Sequence, residues 1–192
     1  NLYIMSDEIY KDILYTDSHN SIAAFPGMSD KTIILDGFSK SYAMTGWRLG
    51  YGIMPSDLVP HITRLAVNSV SCAASFSQIA AIAALEGPQD DVESMVTEFA
   101  IRRTLISEGL RSIPNINCPE PEGAFYAFPS IKNLGLSSSE FEDRSLREAG
   151  VALLAGNAFG QFGEGYVRLS YANSQENIQR AIERLDKFVR GL

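Results

Sequence analysis

Thr32-Ile-Ile-Leu-Asp-Gly-Phe-Ser-Lys40, continued by Ser41-Tyr-Ala-Met-Thr-Gly-Trp-Arg-Leu-Gly50, is the stretch on which the fold turns. Its first residues, Thr32 to Asp36, form a short apolar run closed by an acid and a glycine, which predicts a buried β-strand ending at a turn. In open α/β sheets, ligand-binding groups collect at the carboxyl ends of the strands, and Lys40 stands just past this one. A lysine there is ordinarily a surface charge. Its neighbours change that reading: Gly37 permits close backbone approach, Ser39 offers a hydroxyl, and Gly46 and Gly50 bracket Arg48. An amine and a guanidinium set among glycines suit a ligand that carries an aldehyde and a phosphate. The amine condenses with the aldehyde, and the planar guanidinium pairs with the phosphate.

Working outward, residues 2–6 read as a buried strand that ends in Ser6-Asp7-Glu8, and 48–54 as a third strand. From 57 to 113 the pattern is helical. Phe76 to Glu86 is apolar nearly all round, as in a buried helix, and Asp90 to Ser112 carries one apolar stripe. Pro114, Pro119, Pro121 and Gly123 then break the helix, and Ala124 to Phe128 reads as β. The last third predicts a helix over 139–149, strands over 151–154 and 166–171 joined by a glycine-rich loop, and a final helix over 175–190 capped by Ser174. The class is α/β followed by a smaller α+β unit, divided at the proline cluster into 1–115 and 116–192.

Composition narrows the function. The chain has 192 residues, 45% hydrophobic and 20% charged, with net charge −7, so it lacks the basic face that a nucleic-acid backbone requires. No apolar run is long enough to span a bilayer, so neither a membrane nor a nucleic acid is an expected partner. Cys72 and Cys118 lack a CxxC spacing, which favours a reduced, cytoplasmic compartment. His19 and His61 show no metal-ligand spacing, and no metal is expected. The chain opens at Asn1, without methionine, directly on a strand-like run, which suggests that upstream sequence is missing.

Four blocks in order now carry a resemblance: Ser6-Asp-Glu-Ile-Tyr10, Gly37 to Gly50, Glu122-Gly-Ala-Phe-Tyr126, and Tyr166-Val-Arg-Leu-Ser-Tyr-Ala172. The chain resembles the class I and II aminotransferases, fold-type I enzymes that use pyridoxal 5'-phosphate (PLP). The resemblance implies the C-terminal part of the large PLP-binding domain, with a mixed, mostly parallel sheet, followed by the small α+β domain. It also implies that Lys40 holds PLP as a Schiff base and shuttles the proton during amino-group transfer from an L-amino acid to a 2-oxo acid. By the same resemblance, Asp7 keeps the pyridine nitrogen protonated, Tyr10 bonds the phenolic oxygen, and Arg48 binds the phosphate, with Ser39 a further candidate. Arg168 would take the substrate α-carboxylate as a bidentate pair. Phe125 and Tyr126 would approach the substrate or pack in the core.

Read without the motif, Asp7 is a strand-end cap, Tyr10 an ordinary half-buried tyrosine, and Arg168 one half of a structural salt bridge. Departures from the family are Gly37, where many relatives carry a phosphate-binding serine, and Ala155-Gly156 where Pro-Gly is usual. Family members carry about as much chain again upstream, including much of a homodimer interface, so these residues alone are expected to bind PLP weakly and to be inactive. Two alternatives use the same residues: a PLP-dependent C–S lyase, and the aminotransferase-like effector domain of a transcriptional regulator.

Overall fold

The computed structural model describes residues 2–16 and 18–192; Asn1, on which the expectation of missing sequence rested, lies outside them. The chain divides into two compact units, Asn1–Val96 and Thr97–Leu192. The division falls inside a long helix, upstream of the proline cluster.

Unit one is built on three strands. β1 (Ile4–Asp7) runs parallel to β2 (Thr32–Gly37), with Ile4 opposite Thr32 and Asp7 opposite Leu35. β3 (Gly50–Ile53) is antiparallel to β2, with Gly37 opposite Gly50. Among the described residues the sheet is therefore mixed, one pairing of each kind. The two strands approach closely where the glycines meet. A Cβ on Gly37 would stand 2.9 Å from the Gly50 Cα and 3.0 Å from the Leu49 carbonyl oxygen, so a serine here would force the strands apart. Ile13, Phe38 and Ala81 are buried in this unit.

The helical stretch expected over 57–113 forms three helices: α1 (Val59–Ser69), α2 (Ser75–Glu86) and α3 (Asp90–Ser112). Ser71, at φ +64°, and the Gly87-Pro88 pair make the two breaks. The reading of α2 as a buried helix is corrected. Only Ser77 and Ala81 are buried, while Phe76 and Ile79 are 70% and 67% exposed. An all-round apolar helix needs cover on every side, and the described residues cover one.

Unit two holds the rest of α3 and a second sheet ordered β4-β6-β5, antiparallel throughout: β4 (Tyr126–Ala127), β5 (Leu154–Ala155) and β6 (Val167–Ser170). The helix expected over 139–149 is α4 (Ser138–Arg144), continued by a wider π turn over Ser145–Ala149. The strand expected over 151–154 is displaced to Leu154–Ala155, because the apolar alternation of Val151 and Leu153 reports packing rather than ladder pairing. Likewise only Tyr126 and Ala127 of 124–128 join a ladder; Ala124, at φ +57°, precludes an extended backbone there. α5 (Gln175–Val189) starts where expected, the Ser174 hydroxyl accepting the Asn177 N–H at 3.2 Å, and buries Ile178, Leu185, Phe188 and Val189. A serine cap of this kind contributes about 1 kcal/mol. Among the described residues no helix is long and apolar enough to cross a membrane.

Candidate active site

The strand directions of unit one bring one set of side chains to one end of its sheet. β1 and β2 are parallel, so Asp7 and Gly37 finish at the same end, and β3, being antiparallel, begins there. Asp7 ends β1, and Tyr10, Ser39, Lys40 and Arg48 lie on the connections at that end.

Tight local bonding shapes those connections. The Ile9 N–H donates to Asp7 Oδ1 at 3.2 Å, so Asp7 does close its strand end, and its side chain remains exposed to other partners. After β2, the Phe38 N–H donates to the Leu49 carbonyl, the Met44 N–H to that of Phe38, and the Ala43 N–H to that of Lys40. The loop carrying Lys40 is thus folded back on the start of β3. Two non-glycine residues in it, Ala43 and Arg48, sit in the left-handed region at φ +52°. Each costs roughly 1–2 kcal/mol, and such strain persists only where surrounding structure enforces it. Lys40 Nζ stands 5.7 Å from the Tyr10 ring centre, which brings together the two side chains that the motif pairs. Arg48 is exposed, and its Nη1 donates to the Thr45 carbonyl at 2.9 Å.

Two buried polar clusters beneath this end were not singled out from sequence. Glu8 is 6% exposed, and its carboxylate accepts from Ser21 Oγ at 2.7 Å and Ser6 Oγ at 3.1 Å, with His19 Nε2 at 2.9 Å. Burial pushes its pKa up, but the Ser21, His19 and Ser6 contacts outweigh burial and hold it below the ordinary carboxylate range. Asp36, at the foot of the Lys40 loop, accepts from Lys11 Nζ, from the Tyr51 hydroxyl at 2.6 Å and from the Gly37 N–H at 2.7 Å. Here too burial raises the carboxyl pKa and its donors, Lys11 foremost, more than reverse that, while Lys11 is raised in turn against its own burial. Tyr51 is pushed up by burial and by the Asp36 carboxylate beside it. The cluster opens on a cavity of about 530 Å³ lined also by Tyr42, Leu85 and Gln89. Neither carboxylate stands out in the sequence, because an acid reads as surface until its partners, distant in sequence, are known.

The residues at this sheet end fit PLP by donor type. An amine, a carboxylate, a phenol and a guanidinium match an aldehyde, a pyridine nitrogen, a phenolic oxygen and a phosphate. Beside Lys40, Ser41 Oγ is buried with no hydrogen-bond partner among the described residues, a polar atom still to be satisfied.

Unit two carries Arg168 and Phe125. Phe125 is half-buried and stacks on Phe99, ring centres 5.3 Å apart at 23°, within an aromatic group that also contains the fully buried Tyr171. Arg168 is on the face of β6 opposite the buried Val167 and Leu169, so its apolar sequence neighbours are not its surroundings. Its guanidinium carbon stands 4.5 Å from the Tyr126 ring centre and 4.3 Å from that of Phe159. Among the described residues it forms no ion pair with a carboxylate. The structural salt bridge that its sequence setting allowed is not made among the described residues.

The family profile described as "Aminotransferase class I and II" matches residues 1–185, and the chain belongs to that family. It is 42% identical over 194 residues to an aspartate aminotransferase of Pyrococcus horikoshii, a match spanning 100% of this chain and 49% of that protein. It is equally 42% identical to aromatic-amino-acid aminotransferase 2 of Thermococcus litoralis, over 99% of this chain and 49% of that one. Among solved structures, an aromatic aminotransferase from Pyrococcus horikoshii superposes with a TM-score of 0.96 at 40% identity, covering 99% of this chain and 52% of that chain. The chain thus spans about half the length of the relatives it matches, and its α/β fold is that of half an aminotransferase chain of this type.

Proposed function

We propose that the protein of which these residues form part is a PLP-dependent aminotransferase that moves an amino group between an L-amino acid and a 2-oxo acid. The observation that carries this reading is Lys40, set with Tyr10 at the sheet end that also gathers Asp7 and Arg48, in a chain belonging to this family. Bound PLP supplies an electron sink for the charge left when the substrate α-carbon loses its proton. Lys40 would hold the cofactor through Nζ, and the same nitrogen, when free, would carry the α-proton. Asp7 keeps the pyridine nitrogen protonated, which preserves the electron demand of the ring. Tyr10 donates its hydroxyl to the phenolic oxygen, and Arg48, with Ser39, neutralises the phosphate. Arg168 binds the substrate carboxylate, its guanidinium making no ion pair with a carboxylate among the described residues. The full-length protein would act as a homodimer.

Amino transfer is favoured over elimination because matched relatives are named as aminotransferases. Relatives of equal identity are named for aspartate and for aromatic substrates. The test is reduction of the full-length holoprotein with borohydride, followed by peptide mapping. The cofactor mass is expected on Lys40 and no other lysine, and Lys40→Ala should cut transamination by about three orders of magnitude. Cofactor fixed on a different lysine, or normal turnover in that variant, would sink the assignment.

A further inference from the structure

Phe159 is half exposed, yet its position is fixed from several sides. It ends the first of two short turns, Gly156–Phe159 and Gln161–Gly163, which fold against each other so tightly that a Cβ on Gly156 or Gly163 would overlap the other's carbonyl oxygen. Gly160, at φ +118°, joins the turns in a conformation that side chains rarely adopt. Asn157 Nδ2 donates to Ser139 Oγ at 3.1 Å and to Glu164 Oε2 at 2.9 Å, while Glu164 Oε1 accepts the Ser138 N–H at 2.8 Å. The fully buried Ser138 accepts the Gly165 N–H at 2.8 Å through its hydroxyl. The loop is therefore tied to the first turn of α4, and the Phe159 ring packs edge-on to Phe128, centres 6.1 Å apart.

What this loop presents is a ring 4.3 Å from the Arg168 guanidinium, with Tyr126 at 4.5 Å. A guanidinium keeps all its donors in its plane, so rings against it remove water and limit its rotamers without consuming an N–H. A carboxylate on the backbone side of Arg168 would do the opposite, holding the side chain but occupying its donors.

We propose that Phe159 is a positioning residue that, with Tyr126, holds Arg168 ready to receive the substrate carboxylate. The inference rests on the reading of Arg168 as the carboxylate-binding residue. Amino acid and oxo acid both carry that carboxylate, so loss of the ring weakens both alike and spares the proton-transfer step at Lys40.

The test uses the full-length holoenzyme. Phe159→Leu keeps apolar volume but removes the ring, and Phe159→Tyr restores it. In Phe159→Leu, KM for the amino acid and for the oxo acid should each rise about tenfold with kcat within about twofold, and Phe159→Tyr should stay within about twofold of wild type in both. Glutarate, which has carboxylates but no amine to transfer, gives a reading independent of turnover. Its Kd by titration should weaken about tenfold in the leucine variant only. Asn157→Ala, which loosens the loop and leaves the ring, should move the same quantities in the same direction by less, and it replaces Phe159→Leu if that variant does not fold. Unchanged KM and glutarate Kd in the leucine variant, or an equal loss in the tyrosine variant, overturns the inference. Arg168→Ala separates the two levels. If glutarate binds it as it binds wild type, the reading of Arg168 fails; if it binds weakly while Phe159→Leu binds normally, the inference alone fails.

Discussion

At the scale of single residues, Glu8 shows how a buried carboxylate can hold a strand end and the turn after it together. It follows Asp7 directly, its N–H donates to the Leu35 carbonyl of β2, and its own carbonyl accepts the Lys11 N–H. Its buried carboxylate ties the end of β1 to His19 and Ser21, which lie on the far side of the Tyr10 turn. Replacing Glu8 by glutamine keeps the shape but removes the charge that accepts these bonds. The expected loss at neutral pH is on the order of 2 kcal/mol, seen as a lower midpoint in denaturant. The pH dependence has a definite sign. Because the folded pKa is depressed, the stabilisation is fully present above the unfolded value of about 4.3 and fades as pH falls through the folded one. The gap between wild type and Glu8→Gln should therefore be constant through neutral pH and close on acidification. A gap that widened in acid would reject this role for the carboxylate.

At the scale of elements, α3 and α5 meet through a missing side chain. Gly109 is inside α3, where glycine costs about 1 kcal/mol relative to alanine, so propensity alone favours replacing it. A Cβ there would overlap the Ile182 side chain of α5. Overpacking typically costs about 1–3 kcal/mol, so Gly109→Ala should fail to stabilise and most often destabilise, whereas paired with Ile182→Ala it should recover its propensity gain. A double-mutant cycle should thus give a favourable coupling of about 1–2 kcal/mol, and strict additivity would exclude the contact as the cause. The same pair marks what the sequence can and cannot convey. The apolar stripe of α5 and its Ser174 cap were legible because both are local patterns, and so were the three strands of unit one, although β1, expected to be buried, buries none of its residues. So was the family, because the Gly37 to Gly50 block that carries the resemblance is one short run. Gly109, Glu8 and the Asp36–Lys11 pair were not legible, since each makes sense only beside a residue far along the chain. The short ladders at Tyr126–Ala127 and Leu154–Ala155 were overestimated for a related reason: alternation of buried side chains looks the same whether or not the backbone is paired.

At the scale of the whole chain, the two units differ in how well they cover their apolar residues. In unit two, large side chains such as Tyr171, Phe141, Leu110 and Leu185 are almost completely buried. In unit one, α1 buries none of its residues, and Leu65, Val67 and Val70 are 65%, 59% and 74% exposed. Phe76 and Ile79 of α2, Met5 of β1 and Ile53 of β3 are exposed as well. Exposed apolar side chains in this number favour association in water, because burying them returns roughly 25 cal/mol for each Å² removed from solvent. Relatives that this chain matches are about twice its length, so a protein of full length has far more chain with which to cover such a face. The 192 residues produced alone should therefore self-associate. Sedimentation velocity should give a weight-average mass that rises with concentration, and an apolar dye should bind and brighten. Added PLP should produce little of the visible absorbance expected of a cofactor fixed on Lys40, because the chain spans only about half the length of the relatives it matches. A monodisperse monomer that bound no dye, took up PLP stoichiometrically and turned over would show that this surface is tolerated and that Lys40 has all it needs within these residues.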